Sequence, residues 1–203
     1  MPLLSLQDAV DDLYKIAVVE GKSTSTKRLS LLAEVCAARL AARGLEGAQA
    51  EVIIPGGGRE KSWDVAWKWA GKYRLVISLK SILKNLSGTV PNRVDDLMGE
   101  TTNIQLYSPE VVTGYIMIFD IAEDAVRADG KTWSQTLDER LFRLSGRRAP
   151  YWSPGTFESY AIVNVNFTHG PEIVDGSDTF DKMLDELVAE TLVRNPGIRE
   201  AAP

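Results

Sequence analysis

The apolar positions change period along the chain, and each change marks an element. At 63–69 they alternate: Trp63, Val65, Trp67 and Trp69 are large and apolar, with Asp64, Ala66 and Lys68 between them. A period of two predicts a half-buried strand. Gly71 marks a turn. Residues 73–80 predict a second strand, continuously apolar at Leu75, Val76 and Ile77 and therefore buried on both faces. Ser78 and Lys80, two apart, share a face of it. Gly88 then breaks the pattern, and Pro91 stands where a helix would begin. Val94, Leu97, Met98, Thr101 and Ile104 follow at helical spacing, while Asp95, Asp96 and Glu100 fall outside that stripe. These residues predict a β-hairpin followed by a helix.

The flanks are read the same way. Ser5, with Asp8 three residues on, opens an amphipathic helix over 6–19 through Leu6, Val10, Leu13, Ile16 and Ala17. A Leu- and Ala-rich helix is expected over 26–43, stopped by Gly44. A short strand at 51–55 leads into Gly56-Gly57-Gly58. No Gly-Lys-Ser/Thr follows and no helix opens there, which excludes a P-loop. The run at 115–119 predicts a central strand, 134–144 a helix, 159–167 a strand and 179–192 a closing acidic helix. Residues 145–156 have no period and carry adjacent arginines, two prolines, Tyr151 and Trp152. The order is helix, helix, strand, hairpin, helix, strand, helix, strand, helix. It predicts an α/β fold with a central mixed β-sheet flanked by helices.

Length and composition narrow the class. A chain of 203 residues, 44% hydrophobic and 25% charged, suits one globular domain with a full core. No apolar run reaches the ~18 residues of a membrane span, so no membrane partner is expected. The first residues lack a basic segment and meet acid early, unlike a signal peptide. The single cysteine, Cys36, can form neither an internal disulfide nor a zinc knuckle and is expected in the core. A cytoplasmic location is the expectation.

The net charge of −5 argues against nucleic acid, but its distribution reverses the argument. From Arg59 to Arg93 eight basic residues face two acids, a local balance of +6 that leaves −11 on the remainder. A phosphate-contacting face needs positive potential locally, not over the whole protein. A charged hairpin is also compatible with a simple solvated surface.

The chemistry lies in the same window. Asp64 begins one strand, Lys80 ends the next, and further acids follow on the helix. Carboxylates with one lysine suit Mg²⁺-assisted phosphodiester hydrolysis: carboxylate oxygens hold a hard cation, and an ammonium group steadies phosphate charge. Asp64, a gap of 13 residues, then Ser78-Leu79-Lys80 resembles the PD-(D/E)xK nuclease core, the fold of most type II restriction endonucleases. Ser78 stands where the usual acid would be. One branch of these enzymes has the same Ser-x-Lys, with the carboxylate relocated to an Arg-x-Glu on the next helix. Arg93-Val94-Asp95 resembles that element with Asp for Glu, and Asn92 to Asp96 resembles the Asn-Arg-x-acid-acid stretch of some relatives.

The resemblance implies one restriction-endonuclease-like domain over 1–203, with N-terminal helices in 1–45, a catalytic core in 50–120 and a helix-loop-strand-helix in 134–195. It implies Asp64, Ser78, Lys80 and Asp95 as catalytic residues, and Mg²⁺ on Asp64 and Asp95 with Asp96 as the fallback. A glutamate on the helix before the hairpin sometimes joins the metal site, which makes Glu34 a candidate; a solvent-facing Glu34 is the alternative. The implied partner is double-stranded DNA. Arg59, Lys61, Lys84 and Arg93 are expected near its backbone, and Arg147 and Arg148 at base edges or phosphates. For 145–156 the alternative is an ordinary Pro/Gly connection. Cutting both strands implies a homodimer, and a restriction system implies a cognate methyltransferase. Two rivals stay open: a DNA-binding module without catalysis, and an interaction protein with an amphipathic hairpin.

Overall fold

The computed structural model describes residues 4–200. Six strands form one sheet in sequence order: β1 (Gln49–Ile54), β2 (Lys61–Trp69), β3 (Lys72–Ile82), β4 (Val112–Asp120), β5 (Ser159–Asn166) and β6 (Glu172–Asp175). The first three pair antiparallel, β3-β4-β5 are parallel, and β6 returns antiparallel. The expected mixed sheet is therefore present. β6 escapes a sequence reading because it is four residues long and largely exposed.

Local chemistry explains the main elements. Ala70 and Gly71 join β2 to β3 with φ of 48° and 79°. Two positive φ values in a two-residue loop are those of a type I′ turn, whose twist matches the strands it joins. β4 is buried along its whole length, as a central parallel strand must be. α1 (Leu6–Tyr14) starts on a Ser5/Asp8 capping box and widens into a π-turn at Lys15–Val19. A 3₁₀ turn at Thr26–Leu29 leads into α2 (Ser30–Ala42).

α3 (Leu86–Tyr107) begins five residues before the proline expected to start it, after a left-handed Asn85. Leu86 and Val90 extend the buried stripe of Val94 and Leu97 upstream of Pro91. Pro91 removes only the bond to the carbonyl of Ser87, an exposed residue in the first turn of the helix. Burial of two aliphatic side chains, each about 1.5–3 kcal/mol, is enough to carry the helix through it.

α3 and α4 (Trp133–Leu144) pack on one face of the sheet, over Tyr115, Met117 and Phe119. α1, α2 and α5 (Ser177–Arg194) cover the other face, over Leu75, Ile77, Leu79, Ile116 and Ile118. Both β-α-β crossovers step in the same direction across the sheet, so a common handedness puts both helices on one side. A four-residue turn, α6 (Gly197–Glu200), follows α5. Among the described residues no helix is long and apolar enough to cross a membrane.

Candidate functional site

β2 and β3 fork where the candidate residues lie. Their pairing runs from the turn to Val65 opposite Ile77 and stops there. Ser62 and Trp63 pair instead with β1. Into the gap comes the carboxylate of Asp64: its Oδ2 accepts the Leu79 backbone N–H at 2.7 Å, in place of the next rung of the ladder. Opposite Asp64 the β1 register is interrupted at Glu51, whose φ of 56° is left-handed. Backbone strain of this kind collects where a site needs a particular shape.

Strand alternation turns Ser78 and Lys80 to the α3 side, and α3 supplies the second carboxylate, Glu100. The buried Ser78 hydroxyl lies 3.0 Å from Glu100 Oε2 and 3.4 Å from Asp64 Oδ2. Lys80 Nζ donates to Glu100 Oε1 at 3.0 Å. Lys61 Nζ lies 3.3 Å from Glu100 Oε2 and 4.3 Å from the centre of the Trp63 ring. Two acids and two lysines thus share one partly buried patch, balanced in charge, with one hydroxyl between the acids. Asp64 Oδ1 has no partner among the described residues.

The groups are tuned in opposite directions. Burial pushes the Asp64 carboxyl above its ordinary value, and the Leu79 N–H and the two lysines offset only part of this. Burial acts the same way on Glu100, but Lys80 and Lys61 together outweigh it and hold that carboxyl below its ordinary value. Burial also lowers Lys61.

Asp64, Ser78 and Lys80 are therefore brought together, but the acid that joins them is Glu100 rather than Asp95. Asp95 is exposed and makes no ion pair among the described residues. Five positions along a helix turn it roughly 140° away from Glu100. Asp96 lies closer in rotation but pairs with Arg93 at 2.6 Å. The Arg-x-acid spacing misdirects the reading because it fixes a sequence interval without the rotation of the helix. Glu34 is exposed on α2. Cys36 is fully buried, and burial raises its thiol pKa, consistent with an inert core residue.

The basic candidates divide. Arg59 and Lys84 are exposed. Arg59 belongs to a loop pinned to α3: the Gly58 and Arg59 N–H groups both donate to Asn103 Oδ1, and the Arg59 carbonyl accepts from Asn103 Nδ2. A Cβ on Gly57 would sit 2.7 Å from Leu106, so the close approach requires glycine. Arg147 is not available to DNA. It is 3% exposed and donates to Glu158 and to the carbonyls of Val111 and Pro109. Arg148 pairs with Glu190 at 2.9 Å. Residues 145–156 are thus fastened to the end of α5 as a connection, with Trp152 under the Arg147 and Arg194 guanidinium groups.

Arg28 escaped the sequence reading. It lies half-buried in the 3₁₀ turn, with Nε donating to Ser81 Oγ at 3.1 Å and Nη1 to the Ser25 carbonyl at 2.6 Å. No residue pattern around it signals this position. A groove of about 650 Å³ between α4 and α5, lined by Asp138, Tyr160, Lys182 and Glu186 among others, includes none of the fork residues.

Among the described residues no three Asp, Glu, His or Cys side chains converge as a metal-binding group. The fork offers two carboxylates, all hard oxygen donors, beside a hydroxyl. Mg²⁺ is commonly held by one or two carboxylates together with waters and substrate phosphate, so this donor set fits it. No protein-family model, curated protein or solved structure matches the chain.

Proposed function

We propose that the chain is a Mg²⁺-dependent endonuclease that hydrolyses phosphodiester bonds in double-stranded DNA, on a restriction-endonuclease-like core. The observation that carries this reading is the meeting of Asp64 and Glu100, from a strand and a helix, at one serine hydroxyl beside Lys80. In the proposal Glu100 takes the role of the relocated acid.

A bound Mg²⁺ supplies positive charge for the phosphate and a more acidic water. Asp64 and Glu100 would hold it, with Asp64 kept in place by the Leu79 N–H. Glu100 holds Lys80 and Lys61 at rest through separate oxygens. An incoming phosphate competes for those ammonium groups and frees carboxylate oxygens. Lys80 Nζ then orients the attacking water and steadies charge on the phosphate oxygens. Ser78 donates its one hydroxyl proton to Glu100, with Asp64 as the more distant alternative acceptor. Cleavage of both strands takes two copies of the site, so a homodimer belongs to the proposal, as do a cytoplasmic location and a cognate methyltransferase.

The test is incubation of plasmid DNA with the protein in Mg²⁺ and in EDTA, beside Lys80→Ala. Discrete Mg²⁺-dependent fragments, reduced at least about 10²-fold in rate by the substitution, are expected. A second reading has its own observation: every oxygen of Glu100 is already engaged by Ser78, Lys80 or Lys61. A DNA-binding module of this fold would bind duplex DNA in EDTA and cut it in neither Mg²⁺ nor Mn²⁺. Absence of both binding and cleavage would overturn the two readings together.

A further inference from the structure

Most partly buried arginines of this protein reach a carboxylate: Arg39, Arg43, Arg74, Arg147 and Arg194 all do. Arg28 does not. Its hydrogen-bond partners among the described residues are the Ser81 hydroxyl and the Ser25 carbonyl, both neutral. A guanidinium has five N–H donors, so most of its capacity is open. A half-buried cation held only by neutral groups is costly to fold around, and its geometry is fixed in advance for an anion.

The place of Arg28 says which anion. Ser81 follows Lys80 on β3, on the opposite face of the strand, so Arg28 approaches the fork from the α2 layer. Glu100 and Arg93 approach it from the α3 layer. The electrostatic neighbours that act on Arg28 include Asp64 and Arg93. Arg93 has Asp96, but its Nε is buried without a partner. Arg28 is thus anchored to the end of β3 through Ser81, within electrostatic reach of Asp64 and Arg93 but bonded to neither. Planar N–H forks match the oxygens of a phosphodiester two at a time, which a lysine cannot do.

We propose that Arg28 is a phosphate-binding residue, which seats one backbone phosphate of the nucleic-acid substrate at the β2–β3 fork. This rests on the reading of the fork as a phosphodiesterase site, and it names the group that places the substrate there. Arg28 acts on the bound strand rather than on the water, so its loss weakens substrate binding more than turnover at saturation.

The experiment is binding of a fluorescent DNA duplex in EDTA across a series of salt concentrations, with wild type, Arg28→Ala, Arg28→Gln and Arg28→Lys. Removing one phosphate contact lowers the slope of log affinity against log salt by about 0.9. Arg28→Ala and Arg28→Gln are expected to lose that slope and about tenfold or more in affinity. Arg28→Lys keeps the slope and recovers affinity only in part. In Mg²⁺ the same variants should raise KM more than they lower kcat. A merely structural arginine would move the unfolding midpoint and leave the salt slope alone. If wild type binds and cuts DNA while Arg28→Gln keeps its slope and affinity, the assignment of Arg28 is wrong and the nuclease reading stands. If wild type binds no duplex at any salt, both fall. Should Arg28→Ala not fold, the Gln and Lys variants decide.

Discussion

Two clusters of opposite charges lie at opposite ends of the sheet, and they differ in how completely their acids are used. At the start of β4 and β5, Glu158 is 4% exposed and fully occupied. Its Oε2 accepts from the Thr113 N–H and hydroxyl, and its Oε1 from Arg147 and Arg194. No lone pair is left for a ligand. At the fork, Asp64 keeps one oxygen unpartnered, and the side chains of Lys61, Lys80 and Glu100 remain 11–18% exposed. Both clusters are rich in charge; only the second has capacity to spare. A saturated carboxylate ties elements together, whereas an unsaturated one is available to chemistry.

This contrast can be broken most forcefully at the saturated end. Glu158→Ala removes the carboxylate that two buried guanidinium groups share and the acceptor of the Thr113 N–H, and should cost about 3–5 kcal/mol of unfolding free energy, measured as a shift of the urea midpoint. At the fork the effect should fall on activity instead. Glu100→Gln is expected to slow DNA cleavage by about 10²–10³-fold while Asp95→Asn leaves the rate unchanged, a comparison that decides between the two helix acids. Equal losses from both substitutions would return the Arg-x-acid reading.

The smallest effect concerns Asp64. An acid whose pKa is raised on folding binds its proton more readily in the folded state, so it costs stability above its folded pKa. That cost disappears as pH falls below the unfolded value. Asp64→Asn should therefore melt slightly higher than wild type at neutral pH, with the difference closing as pH falls through the window just above the ordinary Asp range. Glu100 has the opposite sign: its contribution is present above the ordinary Glu value and is lost as pH falls through its lowered pKa. Thermal melts of Asp64→Asn and Glu100→Gln across acid pH should thus diverge in opposite directions.

What could be read from the chain follows from which physical rule applies. Strand alternation is a strict period, so Ser78 and Lys80 fall on one face without any knowledge of tertiary structure. The two-residue turn at Ala70-Gly71 sets the first pairs of β2 with β3, but a one-residue shift between Trp67 and Lys68, which no sequence period signals, fixes what comes opposite near Asp64. Helix rotation offers no such anchor. A start placed at Pro91 hid the stripe from Leu86, and spacing alone preferred Asp95 to Glu100. Charge counting misled for a related reason. Of the basic residues between Arg59 and Arg93, Lys61, Lys80, Arg74 and Arg93 each face an acid, and all three of those acids, Asp96, Glu100 and Glu110, lie outside the window counted. Arg147 is buried whereas Arg148 stays exposed, and the acids that hold them, Glu158 just before β5 and Glu190 on α5, are distant in sequence.

The replacement of a ladder rung by the Asp64 carboxylate has one more consequence. The Leu79 amide hydrogen is a point at which sheet and site share a bond. Whatever draws Asp64 toward a ligand, or away from the strand, changes how fast that hydrogen trades with deuterium from water. One amide therefore serves as a natural gauge of the site, readable without any turnover.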